Sequence, residues 1–155
     1  MGITVRVAGP ADLDALVELS AGLFAEDAGQ RDPYTDQGWP RREGRGYFAG
    51  IIDNSRARCW VAEVDGVVAG NLVGRINRES SVRPVRIAEL ESMFVRAEYR
   101  SSGVGAALVA EFFGWGKRAG AERALVTAYA ENDRALAFYS RHGFQPKNVS
   151  LERGL

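Results

Sequence analysis

The chain predicts a single mixed α/β domain, and three features of its sequence carry that prediction. Two strand-like runs, Cys59 to Val64 and Val67 to Ile76, meet at Asp65-Gly66, the dipeptide that supplies the positive φ angles of a type I′ hairpin turn. Val104, Leu108, Phe112 and Trp115 recur at helical intervals between Gly103 and Arg118. Strand-like and helix-like segments then alternate, so that hairpins come first and a strand-helix-strand-helix half second.

In order along the chain, Ile3 to Ala8 alternates apolar and polar residues as a short strand, and Pro10 opens a helix in which Leu13, Leu16, Val17 and Leu19 share a face. From Phe24 to Gly46 the residues turn polar and acidic, and Pro33, Gly38, Pro40 and Gly44 interrupt any long element. This stretch reads as a long loop, followed by a short helix near Tyr47 to Asp53. After the hairpin and a polar loop at Asn77 to Arg83, Arg86 to Val95 reads as a strand leading to the helix from Gly103. Arg123 to Tyr129 is a further strand, and Asn132 to His142 a helix with Asn132 as N-cap and Gly143 just past its end. A last strand covers about Val149 to Arg153. There is no internal repeat or linker, and residues 1–155 read as one domain.

Composition narrows the class. At 155 residues, 46% apolar and 26% charged, the chain matches an ordinary soluble protein with one core. Twenty Lys and Arg balance twenty Asp and Glu. No overall positive field draws in nucleic acid or an anionic membrane. Asp12, Asp14, Glu18, Glu26 and Asp27 are foreign to the apolar segment of a secretory signal, and no run approaches the roughly 18 apolar residues of a spanning helix. Cys59 is the only cysteine, which rules out an intrachain disulfide or a thiolate metal cluster. The expected compartment is the cytoplasm.

The strongest chemical signal is Arg100-Ser101-Ser102-Gly103-Val104-Gly105, placed between a strand and a helix. A glycine-bearing turn there leaves amides unpaired and points the positive end of the helix dipole outward, which suits a phosphate. No Gly-Lys-Ser or Gly-Lys-Thr follows and G-x-G-x-x-G is absent, so a P-loop kinase or a Rossmann dehydrogenase is disfavoured.

The run from Glu89 to Leu108 resembles the central motif of the GNAT superfamily of N-acetyltransferases, whose (Gln/Arg)-x-x-Gly-x-(Gly/Ala) is met by Arg100, Gly103 and Gly105. A second block, Asn132 to Phe144, is similar to a later motif of that family, with Asn132, Ala135, Phe138-Tyr139 and Gly143-Phe144. Ala97 stands where relatives often have Pro, and Ser101 where many have Gly. The resemblance implies a mixed, mostly antiparallel sheet flanked by helices, with a central strand pair that splays after Val95's strand leaves its neighbour. It also implies acetyl-CoA as co-substrate. Met93, Phe94 and Val95 would pair with the pantetheine arm through their backbone. Arg100, Ser101, Ser102, Gly103, Val104, Gly105 and Ala106 would hold the pyrophosphate. Asn132 would hydrogen-bond the arm, and Ala135 would leave room beside it.

Acyl transfer from a thioester needs a neutral amine and a proton for the departing thiolate. Glu89 and Glu91 are two apart on a strand and share a face; they are either a solvated face or, with Leu90 and Ile87 as apolar surroundings, a site for a base. The resemblance favours Glu91, two residues before Met93, as the base. Tyr139 at helical spacing with Leu136 reads as core by itself, and the resemblance makes it the acid that protonates, or hydrogen-bonds to, the CoA sulfur. His142, at a helix end, reads as structural, and Cys59 beside Trp60 as buried filler. Neither His-x-x-x-His nor paired Cys spacing calls for a metal.

The expected activity is direct acetyl transfer to a primary amine, either a small cation such as a polyamine or aminoglycoside or a peptide amine. Glu26, Asp27, Asp32 and Asp36 lie in the segment that commonly covers the acceptor in the family, and Glu26 and Asp27 are expected to steer an ammonium group. A solvated acidic loop, with Arg31, Arg41 and Arg42 interspersed, is the plainer alternative. A silent CoA-binding module and an enzyme for another acyl donor are the rival functions. Dimers are common in the family, so a homodimer is one expected assembly.

Overall fold

The structure, a computed structural model, describes residues 2–155. The chain forms β1 (Ile3–Val7), a 3₁₀ turn (Pro10–Asp12), α1 (Leu13–Glu26), α2 (Ala28–Arg31), α3 (Trp39–Ile52), β2 (Ala57–Val64) and β3 (Val67–Asn77). It continues through β4 (Ile87–Val95), a second 3₁₀ turn (Ala97–Tyr99), α4 (Val104–Arg118), β5 (Arg123–Val126) and α5 (Asp133–Arg141). The strands make one five-stranded sheet in sequence order, antiparallel except for the parallel pair β4 and β5.

The β2–β3 hairpin turns at Asp65 and Gly66, both with positive φ, 51° and 83°, as the Asp-Gly dipeptide requires. Two apolar clusters sandwich the sheet. Leu13, Leu16 and Leu19 of α1 and Phe48 and Ile51 of α3 pack on Cys59, Val61 and Val73. On the opposite face, Val104, Leu108, Phe112 and Trp115 of α4 pack on Trp60, Leu72, Ala88 and Leu90. The helical spacing of the α4 set puts all four on one stripe.

Two bulges re-aim the strands. Ala62 and Glu63 of β2 pair with Gly70 and Val68, leaving Ala69 over, and Val73 and Gly74 of β3 pair with Ser92 and Leu90, leaving Glu91 over. The α4-side residues of β4 therefore change parity at Glu91, from Ala88 and Leu90 to Met93 and Val95. An extra residue of this kind bends a strand and adds twist.

Three expectations are corrected. The stretch from Phe24 to Gly46 is mostly helical: α1 continues to Glu26, α2 follows, and α3 starts at Trp39 rather than near Tyr47. Pro40 lies in the first turn of α3, where a missing N–H costs nothing. Gly44 is buried, with its Cα facing Val17 of α1, and closes the packing between the two helices instead of ending one. The strand expected at Val149 to Arg153 does not form; residues 145–155 are irregular, and Val149 and Leu151 are 81% and 91% exposed. The strand expected to run to Tyr129 ends at Val126.

Candidate active site

The bulge leads into the feature that shapes the site. Pairing between β4 and β5 runs from Ile87–Arg123 to Leu90–Val126 and stops, although β4 continues to Val95. Met93, Phe94 and Val95 therefore border an opening on the β5 side while remaining paired to Leu72, Asn71 and Gly70 of β3. Their side chains alternate: Phe94 joins the cluster under α1 and α3, Met93 and Val95 the one under α4.

At the end of that opening stands the start of α4. Its first backbone bond runs from the Ala107 amide to the Gly103 carbonyl, and among the described residues the amides of Ser101 to Ala106 have no backbone acceptor. Gly103 has φ of 94°, a conformation that strains any other residue. Gly105 is small for a different reason: a Cβ there would lie 3.1 Å from Cε2 and 3.2 Å from Cζ of Phe138 on α5. Unpaired amides at a helix start and an unpaired strand edge are the groups a pyrophosphate and an amide-bearing arm require, so the residues present fit CoA. Ser101 also has positive φ, 62°, which costs a non-glycine residue about 1–2 kcal/mol. The Ser102 hydroxyl donates to the Tyr99 carbonyl. Ala97 opens the second 3₁₀ turn, a place where proline's missing N–H would be harmless.

Arg100 is fixed from three sides. Its Nε donates to the Val95 carbonyl at 2.9 Å, its Nη2 pairs with Glu26 at the end of α1, and its guanidinium lies 5.4 Å from the centre of the Phe94 ring. The Phe94 ring itself rests on Gly22 of α1, where a Cβ would come within 2.9 Å.

Asn132 is the N-cap of α5, its Oδ1 accepting from the Ala135 amide at 3.1 Å. Its Nδ2 donates to Asp27 Oδ1, also 3.1 Å, and the same oxygen accepts from Arg31 Nε at 2.8 Å. Tyr139 packs with Phe138 and Phe144. Burial pushes its phenol up to about 12, and the Asp27 carboxylate adds to the rise. At neutral pH Tyr139 therefore holds its proton and can donate it.

Glu91 lies on the face covered by α1 and α3, where its Oε2 accepts from Arg75 Nε and Nη2 at 3.2 and 3.1 Å. Glu89, on the same face, accepts from Asn77 Nδ2 at 3.0 Å. The apolar surroundings expected from Leu90 are absent, because Leu90 points into the α4-side core. The Tyr47 hydroxyl of α3 is pushed well above its ordinary value by burial first and then by the Glu91 carboxylate. Phe24 and Trp39 stack with centroids 5.7 Å apart, and Trp39 meets Tyr47 edge-on at 5.4 Å, so an aromatic row borders this face.

The sequence-predicted residues thus fall into two groups. Arg100, Ser101 to Ala106, Asn132 and Tyr139 gather around the opening, joined by Glu26 and Asp27, while Glu91 stands on the other side of the sheet from Tyr139. Glu26 and Asp27 were expected in a loop, but end and cap α1, and each is bonded to a residue of the expected donor site. Sequence reasoning missed Arg75 and Tyr47; Arg75 comes opposite Glu89 only through the β3–β4 register of the fold. His142 caps α5, and Cys59 is 2% exposed in the core, its thiol pushed up to about 12 by burial.

Comparison with known proteins bears on the family and the fold. The family model described as the acetyltransferase (GNAT) family matches residues 15–144. An uncharacterized N-acetyltransferase of Methanocaldococcus jannaschii is 29% identical over 94% of this chain, which spans 62% of that relative's length. Among solved structures, a mutant protein from Bacillus halodurans has a TM-score of 0.87 at 18% identity, covering 98% of this chain and 99% of its own. An aminoglycoside N-acetyltransferase in complex with CoA has a TM-score of 0.75 at 21% identity, covering 99% of this chain and 95% of its own.

Proposed function

Starting from the fact that the chain belongs to the acetyltransferase (GNAT) family, we propose that it moves an acetyl group from acetyl-CoA directly to a primary amine. The observation that carries this reading is the early end of the β4–β5 pairing beside the unpaired amides at the start of α4. In this reading the free edge of Met93 to Val95 holds the pantetheine arm through backbone groups. The amides of Ser101 to Ala106 hold the pyrophosphate, with Arg100 adding positive charge and Ala135 leaving space beside the arm.

Acetyl-CoA supplies an activated thioester. The amine nitrogen bonds to the acetyl carbon as the carbon–sulfur bond breaks. Tyr139, protonated at neutral pH, gives its proton to the departing sulfur. Glu91 takes the proton that the amine loses, directly or through water.

For the acceptor we favour a small cationic amine, such as a polyamine or an aminoglycoside. Glu26 and Asp27 are engaged with Arg100, Arg31 and Asn132, so an acceptor reaching them would have to compete with those partners. Glu91 and the row Phe24, Trp39 and Tyr47 offer a carboxylate and aromatic faces, both of which attract an ammonium group. The test is thiol release from several acyl-CoAs against a panel of amines. The reading expects acetyl-CoA and cationic amines to lead. A silent module would bind CoA and release no thiol.

A further inference from the structure

Asp27 was expected on the acceptor side, but its bonds tie it to the helix that carries Tyr139. One oxygen, Oδ1, accepts from Arg31 Nε at 2.8 Å and from Asn132 Nδ2 at 3.1 Å. Asn132 passes the constraint on, since its Oδ1 caps the Ala135 amide at 3.1 Å. Tyr139 lies one helical turn beyond Ala135, on the same face.

This chain of bonds matters because α5 is otherwise held along one face only, by Phe138 and Tyr139 against the α4-side core. The helix has nine residues, none of them fully buried, and Leu136 is 43% exposed. A helix that short is marginal without tertiary contacts, and loss of a cap costs about 0.5–2 kcal/mol. Besides the cap, α5 is held mainly by Phe138 against Gly105 and Tyr139 against Phe144.

We propose that Asp27 is a positioning residue, which ties the Asn132 cap to the end of α1 and so sets where the Tyr139 hydroxyl stands. The inference rests on Tyr139 as the proton donor. Burial, and then the Asp27 carboxylate, raise the Tyr139 phenol above its ordinary value. Other charged or titratable groups nearby are Arg31, which offsets part of the Asp27 charge, and, on or just after α5, Arg141 and His142, 5.9 and 4.5 Å from the Phe138 ring centre. From α4 and the segment after α5 the surroundings are aromatic, Phe113 and Phe144.

A double-mutant cycle with Tyr139→Phe tests the assignment, read as kcat and amine KM. Asp27→Ala should lower kcat about 10-fold, within the range a misplaced group costs, and leave amine KM within about 3-fold. In the Tyr139→Phe background the same change should cost less than about 2-fold, because the group it positions is gone. Asp27→Asn keeps an oxygen for both bonds but loses the charge. It should retain most of kcat.

An equal loss in both backgrounds, or a folded Asp27→Ala with parental kcat, overturns the inference. So does a raised amine KM with unchanged kcat, which would return Asp27 to the acceptor. If Asp27→Ala fails to fold, Asp27→Ser, too short to hold both partners, takes its place, and an equal loss of kcat in both backgrounds overturns the inference as well. Parental turnover in Tyr139→Phe alone would remove the proton donor, and this inference with it; a large Tyr139→Phe loss with additive Asp27→Ala would remove this inference only.

Discussion

Arg75 and Glu91 are joined across β3 and β4 by two hydrogen bonds to a single oxygen, Oε2 of Glu91, on the face bordered by Tyr47. Each side chain is 33% exposed, and a pair this open adds at most about 1 kcal/mol to stability. Arg75→Met should therefore change Tm by only a few degrees. Its effect should fall on the amine: kcat/KM drops because the carboxylate loses its anchor, and CoA affinity stays at the parental value. A loss of CoA affinity with intact amine kinetics would place the pair on the donor side.

Glu91→Gln should lower kcat/KM most at low pH and recover as pH rises and free amine becomes abundant. Glu89, held by Asn77, is the control. If Glu89→Gln gives the larger loss with the same pH signature, the two roles are exchanged.

The glycines at the start of α4 differ in what they require. Gly103→Ala should destabilise by about 1–3 kcal/mol through its positive φ. Gly105→Val should act by pushing Phe138 and α5 away, and so lower kcat as well as CoA affinity. Ser101→Gly should relieve the strain at φ of 62° and raise Tm by about 2–4 °C if the net gain is about 1 kcal/mol. Thermal melts and calorimetry with CoA check all three; a Ser101→Gly protein that melts lower would show that the left-handed geometry there is not strained.

Acid stability should track Asp12. Its carboxylate is buried, accepts from Arg6 at 2.8 and 2.9 Å and from the Gly9 amide at 2.8 Å, and lies below the usual carboxylate range mainly because of Arg6. A lowered folded-state pKa stabilises above the unfolded value, roughly 3.9, and that contribution is lost as pH falls below it. Asp12→Asn should thus melt lower than the parent at pH 7, with the gap closing below about pH 4. A gap that persists into acid would assign the loss to packing.

Much of the fold was legible because local chemistry decided it. Asp65-Gly66 fixed one hairpin, and the stripe from Val104 to Trp115 fixed α4. The stretch before Tyr47 was misread because Pro40 and Gly44 break helices in general, yet one falls in a first turn and the other against Val17, facts that depend on tertiary contacts. The bulge at Glu91 did leave a trace, since the apolar positions Ala88, Leu90, Met93 and Val95 change parity there. Donor-site positions were readable as contiguous motifs. Arg75 with Glu91 and Asp27 with Asn132 were not, because those partners are 16 and 105 residues apart and meet only through the fold.

The central claim is amine acetylation with Tyr139 as proton donor, and the most direct measurement is amine-dependent thiol release from acetyl-CoA by the parent and Tyr139→Phe, with CoA affinity measured for both. The account predicts release by the parent, a fall in kcat of about 10²-fold or more in the variant, and CoA affinity nearly unchanged, since only a hydroxyl is removed. Parental turnover in Tyr139→Phe, or a parent that binds CoA and releases no thiol with any amine, would contradict it.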